Sequence, residues 1–159
     1  MKNVDLRQLS WCNASSRKVD ITKIIDYIDN NKSNSEIHIG CDSHNIKDKC
    51  IFAIVVAIYE PGKGGTYFFA RKRIGKKQIP NMKMRLLKEV DIAISLANMI
   101  NSEISLDKTF VHLDINPDKR FKSHQVFTSA TSWVKSQGYD CVVKPDSWAS
   151  SWLADAYAK

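Results

Sequence analysis

The segment from Cys50 to Tyr59 (CIFAIVVAIY) sets the tightest limit on what this chain can fold into. It is apolar throughout and rich in β-branched residues, which suit a pleated strand better than a helix. Its ten residues are about half of the ~20 that a helix needs to cross a bilayer. A strand with apolar side chains on both faces must be covered on both faces, so its sheet lies between other layers. At 159 residues and 43% hydrophobic, the chain can bury one such core.

Two further strand patterns flank this run. Glu36 to Ser43 (EIHIGCDS) alternates, with Ile37, Ile39 and Cys41 on one face and His38, Gly40 and Asp42 on the other. Thr66 to Ile74 (TYFFARKRI) follows a turn at Pro61–Gly65 and passes from aromatic to basic. The short turns predict an antiparallel meander. Ahead of it, Asp20 reads as a helix cap and Ile21, Ile24, Ile25 and Ile28 as one helical face. Residues 1–18 are polar, with Leu6, Leu9 and Trp11 as scattered anchors and no period.

After Asn81 the period changes. A helix is expected over Asn81–Asn101, a buried strand over Phe110–Ile115, and a helix capped by Ser123 with Val126, Phe127, Ala130, Trp133 and Val134 on its face. Gly138 ends that helix, Tyr139–Lys144 reads as a strand, and Ser147 is expected to cap a last helix. Strands alternating with helices imply parallel pairing through right-handed crossovers. The expected fold is α/β, with a five-stranded mixed sheet (three antiparallel strands, then two parallel) flanked by helices. An N-terminal extension and helix over 1–34 would pack on a domain spanning 35–159.

The net charge is +7, and its excess is local. Between Pro61 and Lys88 stand Lys63, Arg71, Lys72, Arg73, Lys76, Lys77, Lys83, Arg85 and Lys88, with no Asp or Glu among them. The rest of the chain is net negative. Such a segment suits a polyanion, or forms a solvated charged face. Cys41, His44 and Cys50 could be imagined as zinc ligands, but two buried thiols in a hairpin are the simpler reading. The four cysteines contain no C-x-x-C pair, and the N-terminus has no apolar core of the signal-peptide kind, so a cytoplasmic protein is expected.

Four carboxylates stand where surface acids do not belong. Asp42 and Asp114 each end an expected strand, and on parallel neighbouring strands they would lie at one sheet edge, roughly 5 Å apart. That is where open α/β sheets hold ligands, and two anions so placed call for a cation or a proton. On the helix from Asn81, Arg85, Lys88, Asp91, Ser95, Asn98 and Ser102 trace a solvent stripe. Glu89 instead falls with Leu86, Ala93, Leu96 and Ile100 on the core side, either paired with Arg85 or held for a metal. Asp155 is the only acid of the small and aromatic segment Ser147–Lys159.

These acids, in this order along the chain, resemble the ribonuclease H-like fold and, more narrowly, the YkuK-like family of ribonuclease H-fold proteins. The matching stretches are Ile37–Ser43, Arg85–Val90, Val111–Asn116, Lys144–Ser150 and Ala154-Asp155. The resemblance implies a nuclease in which Asp42, Glu89, Asp114 and Asp155 bind two Mg²⁺ or Mn²⁺ ions and cleave RNA or DNA, single-stranded, duplex or hybrid. Arg71, Lys72, Arg73, Lys76, Lys77, Lys83, Arg85 and Lys88 would track the phosphates. Ser43, His112, Lys144 and Asp146 are candidate supports, with Asp146 also the runner-up for the fourth acid. His44 stands where the family is expected to carry an amide. No His occurs in Lys144-Pro145-Asp146, and Gln137-Gly138-Tyr139 leaves no room for a basic protrusion, so hybrid preference does not carry over. The rival reading is a non-catalytic nucleic-acid-binding module. Neither a membrane nor a protein partner is implied.

Overall fold

A computed structural model describes residues 3–159. In chain order the elements are β1 (Cys12–Asn13), α1 (Ile21–Asn31), β2 (Glu36–Ile46), β3 (Lys49–Glu60), β4 (Gly64–Gly75), α2 (Met82–Glu103), β5 (Thr109–His112), α3 (Phe127–Ser136), β6 (Asp140–Val142) and α4 (Asp155–Ala158). A π-helical segment, Ala149–Ala154, runs directly into α4. The strands form one sheet in the order β1-β4-β3-β2-β5-β6, antiparallel from β1 to β2 and parallel from β2 to β6.

The sheet therefore has six strands where the sequence patterns predict five. The extra one is β1. Trp11, fully buried, donates its indole N–H to the Leu6 carbonyl at 2.8 Å, and this anchor lays Cys12 and Asn13 against Phe69 and Phe68 of β4. Two residues are too few to show a period.

The meander forms as expected, with strands longer than the patterns mark. Asp20 caps α1 by accepting the Thr22 N–H at 2.9 Å, and Asn81 caps α2 through the Met84 N–H at 2.9 Å. α1, α2 and α3 cover one face of the sheet, where Ile24, Ile28, Ile92, Leu96 and Ala130 pack with Ile39, Phe52, Ile54 and Val56. Leu6 and Trp11 of the N-terminal segment join this core. On the other face, Ala53, Val55 and Phe69 lie under Ala154 and Ala158. β3 is thus covered on both sides, as its composition demands; each large aliphatic side chain so buried stabilises the fold by about 1.5–3 kcal/mol.

Three local expectations are not met. Ser123 does not cap α3; a 3₁₀ turn (Lys122–Val126) precedes the helix, and the Ser123 hydroxyl accepts the Asn116 N–H at 2.9 Å. Ser147 does not cap with its side chain either: its carbonyl takes the Ser151 N–H at 2.8 Å, while its hydroxyl meets that of Ser151. Lys88 is no part of a solvent stripe. It is 6% exposed, and its ammonium lies 3.1 Å from Asp91 Oδ2, so Asp91 is the counter-ion of a buried cation rather than a bystander.

Candidate functional site

β2 and β5 pair from Ile37–Thr109 to Gly40–His112, and there β5 ends while β2 runs on to Ile46. Asp42 and Asp114 each lie two residues past the last pair, so the same register faces them across the crevice left by β5. Asp42 is consequently in mid-strand, still paired with Ala53 of β3, rather than at a strand end.

A close backbone approach brings the third acid. A Cβ placed on Gly40 would stand 2.4 Å from the Ala149 carbonyl carbon, so only glycine lets the C-terminal segment lie directly on β2. From that seat Ser151 and Asp155, four residues apart, both reach the crevice. The Ser151 hydroxyl donates to Asp114 Oδ1 at 2.8 Å, and Lys144 Nζ lies 3.1 Å from the same oxygen. Asp155 Oδ1 is 2.8 Å from His44 Nε2, which is 3.5 Å from Asp42 Oδ2, and Lys159 Nζ is 3.1 Å from Asp155 Oδ2. Asp42, His44 and Asp155 offer ligand atoms within 4.8 Å of one another. His44 is the residue that sequence reasoning passed over as a family departure; its signal was two-residue spacing from Asp42, which puts both on one strand face.

Glu89 arrives from the opposite face. Strand alternation turns Ser43 toward α2, and its hydroxyl donates to Glu89 Oε1 at 2.5 Å. Glu89 is 5% exposed, and Arg85 reaches it only through the longer-range pull of its charge, not through an ion pair among the described residues. The gap between Glu89 and Asp114, walled by Cys41 and His112, is too narrow for a water molecule.

Burial governs the charges here. It pushes the Asp42 carboxyl up to about 8, helped by the Asp114 charge and a hydrogen bond to Asp155. Burial, with the Asp42 charge behind it, also holds Glu89 well above the usual carboxylate range. Asp155 goes the other way: its partial burial is outweighed by hydrogen bonds from His44 and Lys159, and it titrates below its ordinary value. The buried carboxyls of the cluster thus favour their protonated forms, because burial and mutual repulsion both disfavour the anions.

The supports sort clearly. Ser43 and Lys144 touch Glu89 and Asp114. Among the described residues His112 makes no hydrogen bond to Asp114. Its Nδ1 accepts the Ala149 N–H at 3.3 Å, which leaves Nε2–H to donate to His38 Nδ1 at 2.8 Å and His38 Nε2–H to donate to Glu36 at 3.1 Å. Burial, then the neighbouring His38, depresses His112 to about 3, so the pair is neutral and serves to hold the C-terminal segment. Asp146 is exposed beside Trp148 and Trp152, lining a different cleft.

The basic segment is divided by the sheet. Arg71 shares a row with Ala53 and Asp42, and Arg73 with Ile51 and His44, so both arginines stand on the crevice side. Arg71 Nε donates to the Tyr157 carbonyl at 2.6 Å. Lys72 lies on the opposite face, Lys76 and Lys77 are exposed in the turn after β4, and Lys83 is exposed and Arg85 half-buried on α2. Lys88, being buried, is withdrawn from any phosphate-facing surface.

An antiparallel meander continued by two parallel strands, with carboxylates converging where β5 leaves β2, defines an α/β domain with an acidic crevice at the carboxyl ends of its parallel strands. Residues 20–159 match the family model described as Ribonuclease H-like, and the chain belongs to that family. Comparison with curated proteins and with solved structures gave no match. No helix among the described residues is long and apolar enough to cross a membrane.

Proposed function

We propose that the protein is a metal-dependent nuclease, of YkuK-like type, that hydrolyses phosphodiester bonds of RNA or DNA. The observation that carries this reading is the group Asp42, His44 and Asp155, with ligand atoms within 4.8 Å, beside Asp114 and the buried Glu89 in a ribonuclease H-like fold. Two carboxylates and an imidazole form a donor set that divalent first-row metals accept, and the imidazole tilts the site toward Mn²⁺ over Mg²⁺.

Asp42, with His44 and Asp155, would hold one ion. Asp114 and Glu89 would hold a second once Glu89 turns from Ser43. Bound divalent ions supply an activated water and stabilise the leaving oxygen. The chain's own part is to keep the acids in place: Gly40 seats the C-terminal segment, Ser151 and Lys144 orient Asp114, and Lys159 steadies Asp155. Arg71 and Arg73, two strands away on the same face, would receive the phosphates.

One observation favours a second reading, a binding module without turnover. Lys144 already neutralises Asp114, and His44 and Lys159 flank Asp155. Cleavage of single- and double-stranded RNA and DNA in Mn²⁺, compared between the wild type and Asp42→Asn, decides between them. The nuclease reading expects Mn²⁺-dependent cleavage that Asp42→Asn abolishes. It also expects a Mn²⁺-induced rise in the melting midpoint that shrinks in His44→Ala. Binding without cleavage under every condition would leave the module.

A further inference from the structure

The π-helical segment carries two side-chain stripes. Ser151 and Asp155 meet the acidic crevice, while Trp148 and Trp152, also four residues apart, form a neighbouring stripe. Trp148 packs inward against His38 and His112, with ring centroids 4.7 and 4.9 Å away. Trp152 does not; it is 73% exposed, the most exposed large apolar side chain among the described residues. The two indoles wall a cleft of about 310 Å³ whose other sides are Tyr59, Tyr67 and the apolar surface of β3 at Ala57 and Ile58. No acid or base lines it.

Building on the nuclease reading, we infer that this cleft holds one unpaired nucleobase of a single-stranded substrate, stacked on Trp152. The cleft lining is rich in aromatic rings and carries no charged side chain, which is how proteins take up bases without selecting their sequence. Its charge complement lies on the same strand and the same face. β4 presents Tyr67 to the cleft and then Arg71 and Arg73, four and six residues on, or roughly 13 and 20 Å at strand spacing. Arg71 is in the Asp42 row, about 10 Å across two strands. A strand lying along β4 would therefore have its base in the cleft, its phosphates on the arginines and its backbone beside the acids. A duplex cannot use the cleft, because its bases are stacked on one another and their faces are closed.

The test is binding of a short oligothymidine, in chelator so that no cleavage occurs, read by anisotropy and by tryptophan quenching. Trp152→Ala should weaken binding roughly tenfold, the size of one base–aromatic stack, and Trp152→Phe should restore most of it. Binding of a blunt duplex should be unchanged. An abasic oligomer of equal charge should bind wild type and Trp152→Ala alike. Phe121→Ala, which removes an exposed ring outside the cleft, should have no effect. Unchanged oligothymidine binding in Trp152→Ala, or equal losses for duplex and single strand, overturns the inference and leaves the cleft to a protein partner. The nuclease reading fails separately: Trp152-dependent binding without Mn²⁺-dependent cleavage would remove that reading and keep this one.

Discussion

Gly40 carries the backbone of Ala149: a Cβ on Gly40 would come within 2.4 Å of the Ala149 carbonyl carbon and 2.5 Å of the Ser150 nitrogen. This contact joins the second strand to the C-terminal segment, and the position of Asp155 beside His44 and Asp42 depends on it. The His112–Ala149 hydrogen bond pins the same point.

Gly40→Ala is therefore expected to lift the C-terminal segment from the sheet. Backbone cannot yield as a side-chain tip does, so the cost should be on the order of 2–4 kcal/mol, in the range of other overpacked core sites. Chemical denaturation measures it. The Mn²⁺-induced rise in melting midpoint should disappear together with the stability, because Asp155 moves with the segment. A Gly40→Ala protein of wild-type stability would show that the two elements are not in contact.

Glu89 and Asp91 separate a cation site from a structural pair. Glu89 is buried, and burial with the nearby Asp42 charge disfavours its anion, so Glu89→Gln should leave metal-free stability unchanged or slightly higher while the Mn²⁺ response falls. Asp91→Asn should behave in reverse. It removes the partner of the buried Lys88 ammonium and should cost about 1–3 kcal/mol, with the Mn²⁺ response intact. Melting midpoints of both variants, with and without Mn²⁺, provide the comparison; the opposite pattern would place the metal on the wrong side of α2.

The acids also set a pH signature in chelator. Asp42 titrates near 8 in the folded chain and at an ordinary carboxylate value near 3.8 when unfolded, so the folded state binds more protons between these limits. Stability from this group is present below about pH 3.8 and is lost as pH rises toward 8. His112, near 3 when folded and 6.5 when unfolded, acts oppositely and adds stability as pH rises between those values. The histidine contribution cancels in a comparison of variants. The advantage of Asp42→Asn over wild type should thus grow from almost nothing at pH 4 to a few kcal/mol, on the order of magnitude, at pH 8. A difference that is flat with pH would mean that Asp42 is solvated.

Nucleic-acid binding should fall steeply with salt, but not equally through each basic residue. Arg71 and Arg73 share rows with Asp42 and His44, whereas Lys72 is turned to the other face. Converting both arginines to Glu should flatten the log–log salt slope by about 2 for a duplex, given ~0.9 per phosphate contact, and Lys72→Glu should leave it nearly unchanged. Equal effects would mean that the charge acts as a diffuse field.

Short-range periodicity in the chain carries several of these features. The two-residue alternation of β2, the continuous apolar run of β3, the caps Asp20 and Asn81, and the core-side phase of Glu89 on α2 are properties of neighbouring residues, and each is legible without knowing what lies opposite. Other features arise only from contacts between distant segments. β1 exists because the buried Trp11 anchors the chain beside β4, and the Asp42–His44 pair gains Asp155 because the C-terminal segment is laid across the strand. That last placement depends on contacts between β2 and the C-terminal segment, more than a hundred residues apart in the chain. No local pattern encodes it, since the encoding residue, Gly40, is marked only by the side chain it lacks.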